Sequence, residues 1–193
     1  MKILAILGSA RKYGNSETLV RTVIEPLEKT LDAEIDYLRL TKANLSPCMA
    51  CGGCEKTGLC IIKDDMGGLY ERVDQADILF LVSPIYFYGV SAQSKVFIDR
   101  IQARWSRKYL QKIRFRRDEK RKGYLISTAA TRGKKLFDGA ILVAKSFFDA
   151  IDVDYGGELL VRGVDDKGAL KDKPEELERA KQFAEEISAD FLK

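Results

Sequence analysis

The chain contains no histidine. That absence removes imidazole general bases, Ser-His and Cys-His catalytic pairs, and every metal site that needs an imidazole. Chemistry must therefore come from Cys, Tyr, Arg, Lys and carboxylates, or from a bound cofactor. No apolar run approaches the roughly 20 residues of a bilayer crossing, and the first residues form an apolar stretch with a single Lys and no small-residue cleavage site. The expectation is a soluble, cytoplasmic protein without a membrane partner. Two phosphate signatures are also missing. There is no Gly-Lys-Ser/Thr, and Gly8 and Gly14 do not make the G-x-G-x-x-G that lets backbone approach a pyrophosphate. Cysteine is sparse, with four residues that all fall between positions 48 and 60. In a reducing compartment such a set reads as metal ligands or redox groups rather than disulfides.

At 193 residues the chain has the size of one domain. The expectation is a single domain over 1–193, with a Cys-rich loop at 47–61 and a basic insertion at 104–122. Ile3 to Leu7 is too short and too uninterrupted for anything but a strand buried on both faces, and Leu19, Val20, Val23 and Leu27 then keep helical spacing. Further strands are predicted at 33–38, 77–82, 124–127 and 152–161. Helices are predicted from Asp64-Asp65, through Lys95 to Arg100, over 136–148, and from Pro174 through Phe191, with Asp64 or Asp65 as a cap. Strands alternating with helices give an α/β class, a doubly wound five-stranded parallel sheet in three α/β/α layers. In the order 2-1-3-4-5, the loops after strands 1 and 3 face each other at the switch point, where such sheets bind ligands.

Three loops at that edge carry chemistry. The first offers the hydroxyls of Ser9, Ser16 and Thr18, the Asn15 amide and the Arg11 guanidinium ahead of a helix N-terminus. That set suits one terminal phosphomonoester, and so a mononucleotide rather than a dinucleotide. The plain alternative is a β–α turn capped by Asn15 or Ser16. The second loop, Pro84-Ile85-Tyr86-Phe87-Tyr88-Gly89, sets aromatic faces beside backbone amides and suits a flat heteroaromatic ring, or else merely covers the sheet end. The third runs from Ser127 through Thr128, Ala129, Thr131 and Arg132 to Gly133, again small and hydroxyl-bearing residues.

Taken together, Gly8-Ser9-x-Arg11-x-x-Gly14-Asn15-Ser16, Ser83-Pro84-Ile85-Tyr86-Phe87 and Lys95-x-Phe97-Ile98-Asp99-Arg100 resemble the NAD(P)H-dependent FMN reductase branch of the flavodoxin-like superfamily. The resemblance spans nearly the whole chain. It implies a flavodoxin-like fold and FMN. The phosphate would rest on Ser9, Arg11, Asn15 and Ser16, the isoalloxazine against residues 84–89, and residues 128–133 on its other edge. It further implies NAD(P)H as electron donor and a homo-oligomer, dimer or tetramer. Many members carry Pro where Ala10 stands, a change that removes no phosphate ligand.

The cysteines follow the pattern C-x2-C-x2-C-x5-C at Cys48, Cys51, Cys54 and Cys60. Close spacing with Gly52, Gly53 and Gly58 suits a compact [4Fe–4S] cluster, and with no second set all four would close one cluster. Tetrahedral zinc is the competitor, although its sites usually split into two separated C-x2-C knuckles, and a catalytic or incidental thiol set is the plain alternative. The motif resembles that of iron–sulfur flavoproteins, a subgroup of the same superfamily. Three functions remain. One is an electron-transfer flavoprotein passing electrons between FMN, the cluster and a ferredoxin-like or small-molecule partner. The others are a cluster-free NAD(P)H-dependent flavin or quinone reductase, and a redox-responsive binding protein without turnover.

Residues 104–122 hold ten Lys/Arg against two acids, leaving the remainder of the chain at −4 within a total of +4. Trp105, Tyr109 and Ile113 recur every fourth residue among Arg104, Arg107, Lys108, Lys112, Arg114, Arg116 and Arg117, the pattern of a helix with one apolar stripe. No nucleic-acid recognition fold accompanies this charge. The expectation is a stripe packed against another subunit, with charges that guide an acidic partner or an anionic nicotinamide phosphate.

Overall fold

The structure is a computed structural model that describes residues 1–116 and 118–193, so Arg117 of the basic segment lies outside the described residues. Its first half contains β1 (Lys2–Leu7), α1 (Asn15–Thr30), β2 (Glu34–Arg39), a one-turn α2 (Gly53–Thr57), α3 (Met66–Gln75), β3 (Ile78–Pro84), α4 (Ala92–Arg100) and α5 (Gln102–Tyr109). The rest adds β4 (Lys122–Ala129), α6 (Asp138–Ala150), β5 (Asp154–Arg162) and α7 (Pro174–Phe191). The five strands form one parallel sheet in the order β2-β1-β3-β4-β5, as the sequence predicts.

Alternation along the strands builds the layers. Ile3, Ala5 and Leu7 face α1 and α7, together with Val20, Val23, Ala180 and Ile187. Leu4 and Ile6 point the other way, into a core with Leu69 and Val73 of α3, Phe97 of α4, and Phe147 and Phe148 of α6. A strand whose two faces both meet helices has no wet side, which is why β1 and β3 read as uninterrupted apolar runs. The position of β3 between β1 and β4 puts its carboxyl end at the centre of the loop-bearing edge.

The basic segment departs from expectation. The helix stops at Tyr109 because Lys112 takes a left-handed conformation (φ 60°) and the Ile113 N–H turns back to the Arg107 carbonyl at 2.9 Å. Ile113 therefore leaves the predicted stripe, while Trp105 and Tyr109 pack against each other in a tilted pair with ring centroids 5.3 Å apart. Acids from elsewhere meet most of the charge. Arg104 pairs with Asp74 at 2.6 Å, Lys108 with Asp149 at 2.9 Å, Arg114 with Asp152 at 2.6 Å, and Lys122 with Asp190 at 2.8 Å. Arg116 also bonds Asp77, and buried Arg121 donates to the carbonyls of Val73, Ala76 and Ile151. Among the described residues the charge imbalance along the sequence is thus largely an internal pairing, and these residues leave little unpaired charge for steering to act through. Among the described residues no helix is long and apolar enough to cross a membrane.

Candidate functional site

A cleft opens where the carboxyl ends of β1, β3 and β4 meet. Ser9, Arg11, Asn15 and Ser16 line it from the first loop, Pro84, Ile85 and Tyr86 from the second, and Thr128 and Ala129 from the third. At about 150 Å³ it is smaller than an enclosed small-molecule site, so it fits the phosphate end of a mononucleotide better than a whole one. The structure keeps Thr18, Phe87, Tyr88, Gly89, Thr131, Arg132 and Gly133 outside the lining. Thr18 sits one turn into α1, and the Arg132 guanidinium lies over Gly163, within 3.0 Å of where a Cβ would stand. Val164 and Asp165, which follow β5, complete the lining and were not anticipated. A fifth parallel strand must end at the same edge, and that was the available signal.

The start of α1 is free to meet an anion. Gly14 is its N-cap in extended backbone and no side chain caps it, so the capped-turn alternative does not hold. Asn15 is engaged elsewhere. Its Nδ2 donates to the Asp166 carbonyl at 2.9 Å, and its Oδ1 accepts from the N–H groups of Gly168 and Leu170, both at 3.2 Å. Arg11 donates to the Asp165 carbonyl at 2.6 Å. The loop after β1 and the turn after β5 are therefore tied together.

Beneath the loop lies a residue that sequence reasoning missed. Glu17 is 1% exposed and accepts from the Tyr13 N–H at 2.7 Å, from Arg39 at 2.7 Å and from Arg21 at 3.1 Å. Burial pushes its carboxyl upward, but Arg39, the Tyr13 amide and Arg21 outweigh this and hold it below the usual range. The bond to Tyr13 fixes a left-handed residue (φ 54°) in the middle of the loop. The Glu17 carboxylate returns to the N–H of the residue before the N-cap and not to Gly14 itself, and with no Ser or Thr at the N-cap the capping-box signature is not legible. Glu17→Gln is expected to lower stability by about 1.5–3 kcal/mol, since it removes the charge from a buried network of hydrogen bonds; urea unfolding measures it.

Buried serines clamp the three loops. Ser127 Oγ donates to the Ser83 carbonyl at 2.7 Å, the Ser91 N–H donates to Ser83 Oγ at 2.9 Å, and Ser91 Oγ donates to the Gly8 carbonyl at 2.7 Å. A Cβ at Gly8 would fall 1.8 Å from Ser94 Oγ, so only glycine permits this approach of α4 to the loop. The aromatic stretch forms a tight hairpin, in which Tyr86 and Gly89 exchange two backbone hydrogen bonds of 3.0 Å. Phe87 (φ 47°) and Tyr88 (φ 62°) both occupy the left-handed region, where Asn-Gly is the usual choice. Two aromatic side chains held in this backbone, with Phe87 fully exposed, are strain of the kind that collects at ligand sites.

All four cysteines line a second cavity, of about 400 Å³, bounded by the 47–62 loop and by Arg100, Gln102 and Ala103. Left-handed Gly52 (φ 70°) and Gly58 (φ 68°) flank α2, and Gly58 turns the chain back toward Cys60. Cys48 and Cys51 are exposed, Cys54 and Cys60 half-buried, and all four are free thiols. Among the described residues, no three Cys, Asp or Glu side chains converge tightly enough to hold an ion.

The neck of this loop is closed by Asp64 and Asp65. The Ser46 N–H donates to Asp64 at 2.9 Å and the Asn44 N–H to Asp65 at 2.7 Å. Asp64 also accepts the Met66 N–H at 3.1 Å, so it serves the start of α3 as expected. Behind it, Arg100 is 1% exposed and donates to both Asp64 oxygens, at 2.6 and 3.0 Å, and to the Ser46 carbonyl at 2.8 Å. The hydrogen bonds from Arg100 hold the Asp64 carboxyl below its ordinary value. The Arg100 Nε is buried without a partner, and Ser106 Oγ lies 3.5 Å from Cys54 Sγ. Four soft sulfur donors with unspent positive hydrogen-bonding capacity behind them fit a sulfur-ligated, negatively charged centre.

A parallel sheet of this order, with its ligand loops at the switch point, places the chain in the flavodoxin-like class. Among solved structures it shares that fold with an azoreductase from Bacillus anthracis, with a TM-score of 0.71 and 13% identity over 97% of this chain and 98% of that one. The chain belongs to the NADPH-dependent FMN reductase family, whose model matches residues 1–135. It is 38% identical to an iron-sulfur flavoprotein of Archaeoglobus fulgidus over 101 residues, 52% of this chain and 46% of that protein. Identity is again 38% to an iron-sulfur flavoprotein of Methanocaldococcus jannaschii, over 52% of this chain and 51% of the relative. The matched stretch thus spans about half the length of these curated relatives.

Proposed function

We propose that the chain is an FMN-dependent oxidoreductase of the iron–sulfur flavoprotein type. FMN would occupy the carboxyl-edge cleft, and one [4Fe–4S] cluster would be held by Cys48, Cys51, Cys54 and Cys60. The observation that carries the reading is the convergence of three loops on an uncapped helix N-terminus, beside a separate cavity lined by every cysteine of the chain. FMN exchanges electron pairs and the cluster single electrons, chemistry that the cofactors and not the side chains supply. The residues here bind and orient. Ser9, Ser16 and the first amides of α1 receive the phosphate, Arg11 neutralises it, and Tyr86 covers the ring. Helix α4 supports both sites, with Ser91 against Gly8 and Arg100 at the cysteine cavity, roughly 13 Å apart at the rise of an α-helix. NAD(P)H is the proposed donor, and a ferredoxin-like protein or a small molecule the acceptor. The exposed Trp105, Leu110 and Ile113 support a homo-oligomer, a dimer or tetramer, which light scattering would measure.

Arg11→Ala should weaken FMN binding by about 1.5–3 kcal/mol, the worth of a hydrogen bond to a charged group. Quenching of flavin fluorescence on addition of apoprotein reads this directly. Apoprotein that takes up no FMN would sink the whole assignment of residues 8–16. A second reading, the cluster-free NAD(P)H-dependent FMN or quinone reductase, is favoured by the four thiols standing free without a converged ligand set. Iron and sulfide assays on protein purified without oxygen separate the two.

A further inference from the structure

Arg100 is a charged side chain almost wholly removed from water, and its five N–H groups are not all used. Nη1 and Nη2 are committed to Asp64 and to the Ser46 carbonyl, while buried Nε has no acceptor among the described residues. A buried, unpartnered donor on a cation is among the costlier defects a fold can carry, so it points to a missing acceptor. Arg100 lines the cysteine cavity together with Cys54 and Cys60. On the same side Ser106, fully buried in α5, directs its hydroxyl at Cys54. Cys54 has the Ser106 hydroxyl beside it and Cys60 lines the same cavity as Arg100, whereas the exposed Cys48 and Cys51 have no side-chain hydrogen bond among the described residues. Two carboxylates also border the cavity. Asp99 is held by Lys95 at 2.7 Å, and Glu55 stands on exposed α2.

From this asymmetry we infer that Arg100 and Ser106 are positioning residues that donate to the sulfurs on the buried side of the cysteine site and stabilise its more negative oxidation state. The inference rests on the reading of that site as a [4Fe–4S] centre. Hydrogen bonds to sulfur and nearby positive charge raise the potential of such centres, because reduction adds one electron and no proton is needed to balance it. Asp64 holds the guanidinium in place through its other edge.

The test uses oxygen-free wild type, Arg100→Lys, Arg100→Gln and Ser106→Ala. Each is assayed for iron, sulfide and FMN, then titrated with dithionite while electron paramagnetic resonance follows the reduced centre. At the potential where wild type is half reduced, Arg100→Gln should show a reduced-to-oxidised ratio about tenfold lower, equivalent to about 59 mV for a one-electron couple. Ser106→Ala should fall in the same direction by roughly twofold to threefold, and Arg100→Lys should recover most of the loss because it keeps the charge. If Arg100→Gln does not fold, Ser106→Ala alone decides. Wild-type ratios in iron-loaded variants would overturn the inference while leaving the cluster intact. Wild type that holds no iron would overturn the cluster reading, and this inference with it, before any variant is measured.

Discussion

Asp64→Ala is expected to destabilise the chain by roughly 3–5 kcal/mol, the range for breaking a buried ion pair by removing one partner. The carboxylate is 4% exposed and the guanidinium 1%, so loss of Asp64 leaves Arg100 charged and without its principal acceptor. It also frees the N–H groups of Ser46 and Met66, opening the neck of the cysteine loop where it leaves the 3₁₀ turn after β2 and re-enters at α3. Urea unfolding of the metal-free protein gives the number. A change under 1 kcal/mol would mean that the pair contributes little and the loop is closed by other contacts. The pH dependence follows from the sign of the shift. Arg100 lowers the folded-state pKa of Asp64 below the ordinary 3.8, so in this range the unfolded chain binds more protons than the native one. The stabilisation is complete above the unfolded value and is lost as pH falls below it. Asp64→Asn should accordingly flatten the acid limb of a stability–pH profile and leave its neutral-to-basic limb parallel to wild type.

The sheet was readable because each strand obeys one rule at a time. Ile3 to Leu7 and Ile78 to Val82 are apolar throughout because helices cover both faces, and the helices between the strands make their pairing parallel. The convergence of residues 9–16, 84–86 and 128–129 was legible for the same reason, since parallel strands end at a common edge. Side-chain commitments across the chain were not. Asn15 serves the turn at 166–170, about 150 residues away, and no local pattern near Asn15 announces that partner. The left-handed Phe87 and Tyr88 were equally hidden, since aromatic residues carry no propensity for that conformation. Arg100 belonged to a visible motif, yet its burial, its pairing with Asp64 and its open Nε depend on how α4 packs against the 44–46 and 60–65 segments. In the basic segment, period alone extended the helix to Ile113. Pairing of Arg114 with Asp152 and of Arg116 with Asp77 favours a chain that turns away from α5 instead.

Cys60→Ser should abolish the proposed metal centre and spare the flavin. Cys60 is the one cysteine outside the x2-spaced run, brought back to the cavity by the left-handed turn at Gly58, so its place in the ligand set depends on a single backbone feature. No histidine exists anywhere in the chain and no fifth cysteine can replace it, and a serine hydroxyl lacks the soft thiolate character that iron–sulfur centres require. Wild-type protein prepared without oxygen should contain about four iron and four sulfide per chain, the content of one [4Fe–4S] cluster. The variant should fall below about one iron, with the FMN content held at the wild-type level because the phosphate loop lies at a different β–α junction, after β1. Iron and sulfide analysis with absorption spectra of both proteins settles the matter. Equal loss of FMN would mean that the two sites fold as one unit through α4. Retention of four iron would remove Cys60 from the ligand set, and a yellow, iron-free wild type would transfer the assignment to the cluster-free reductase.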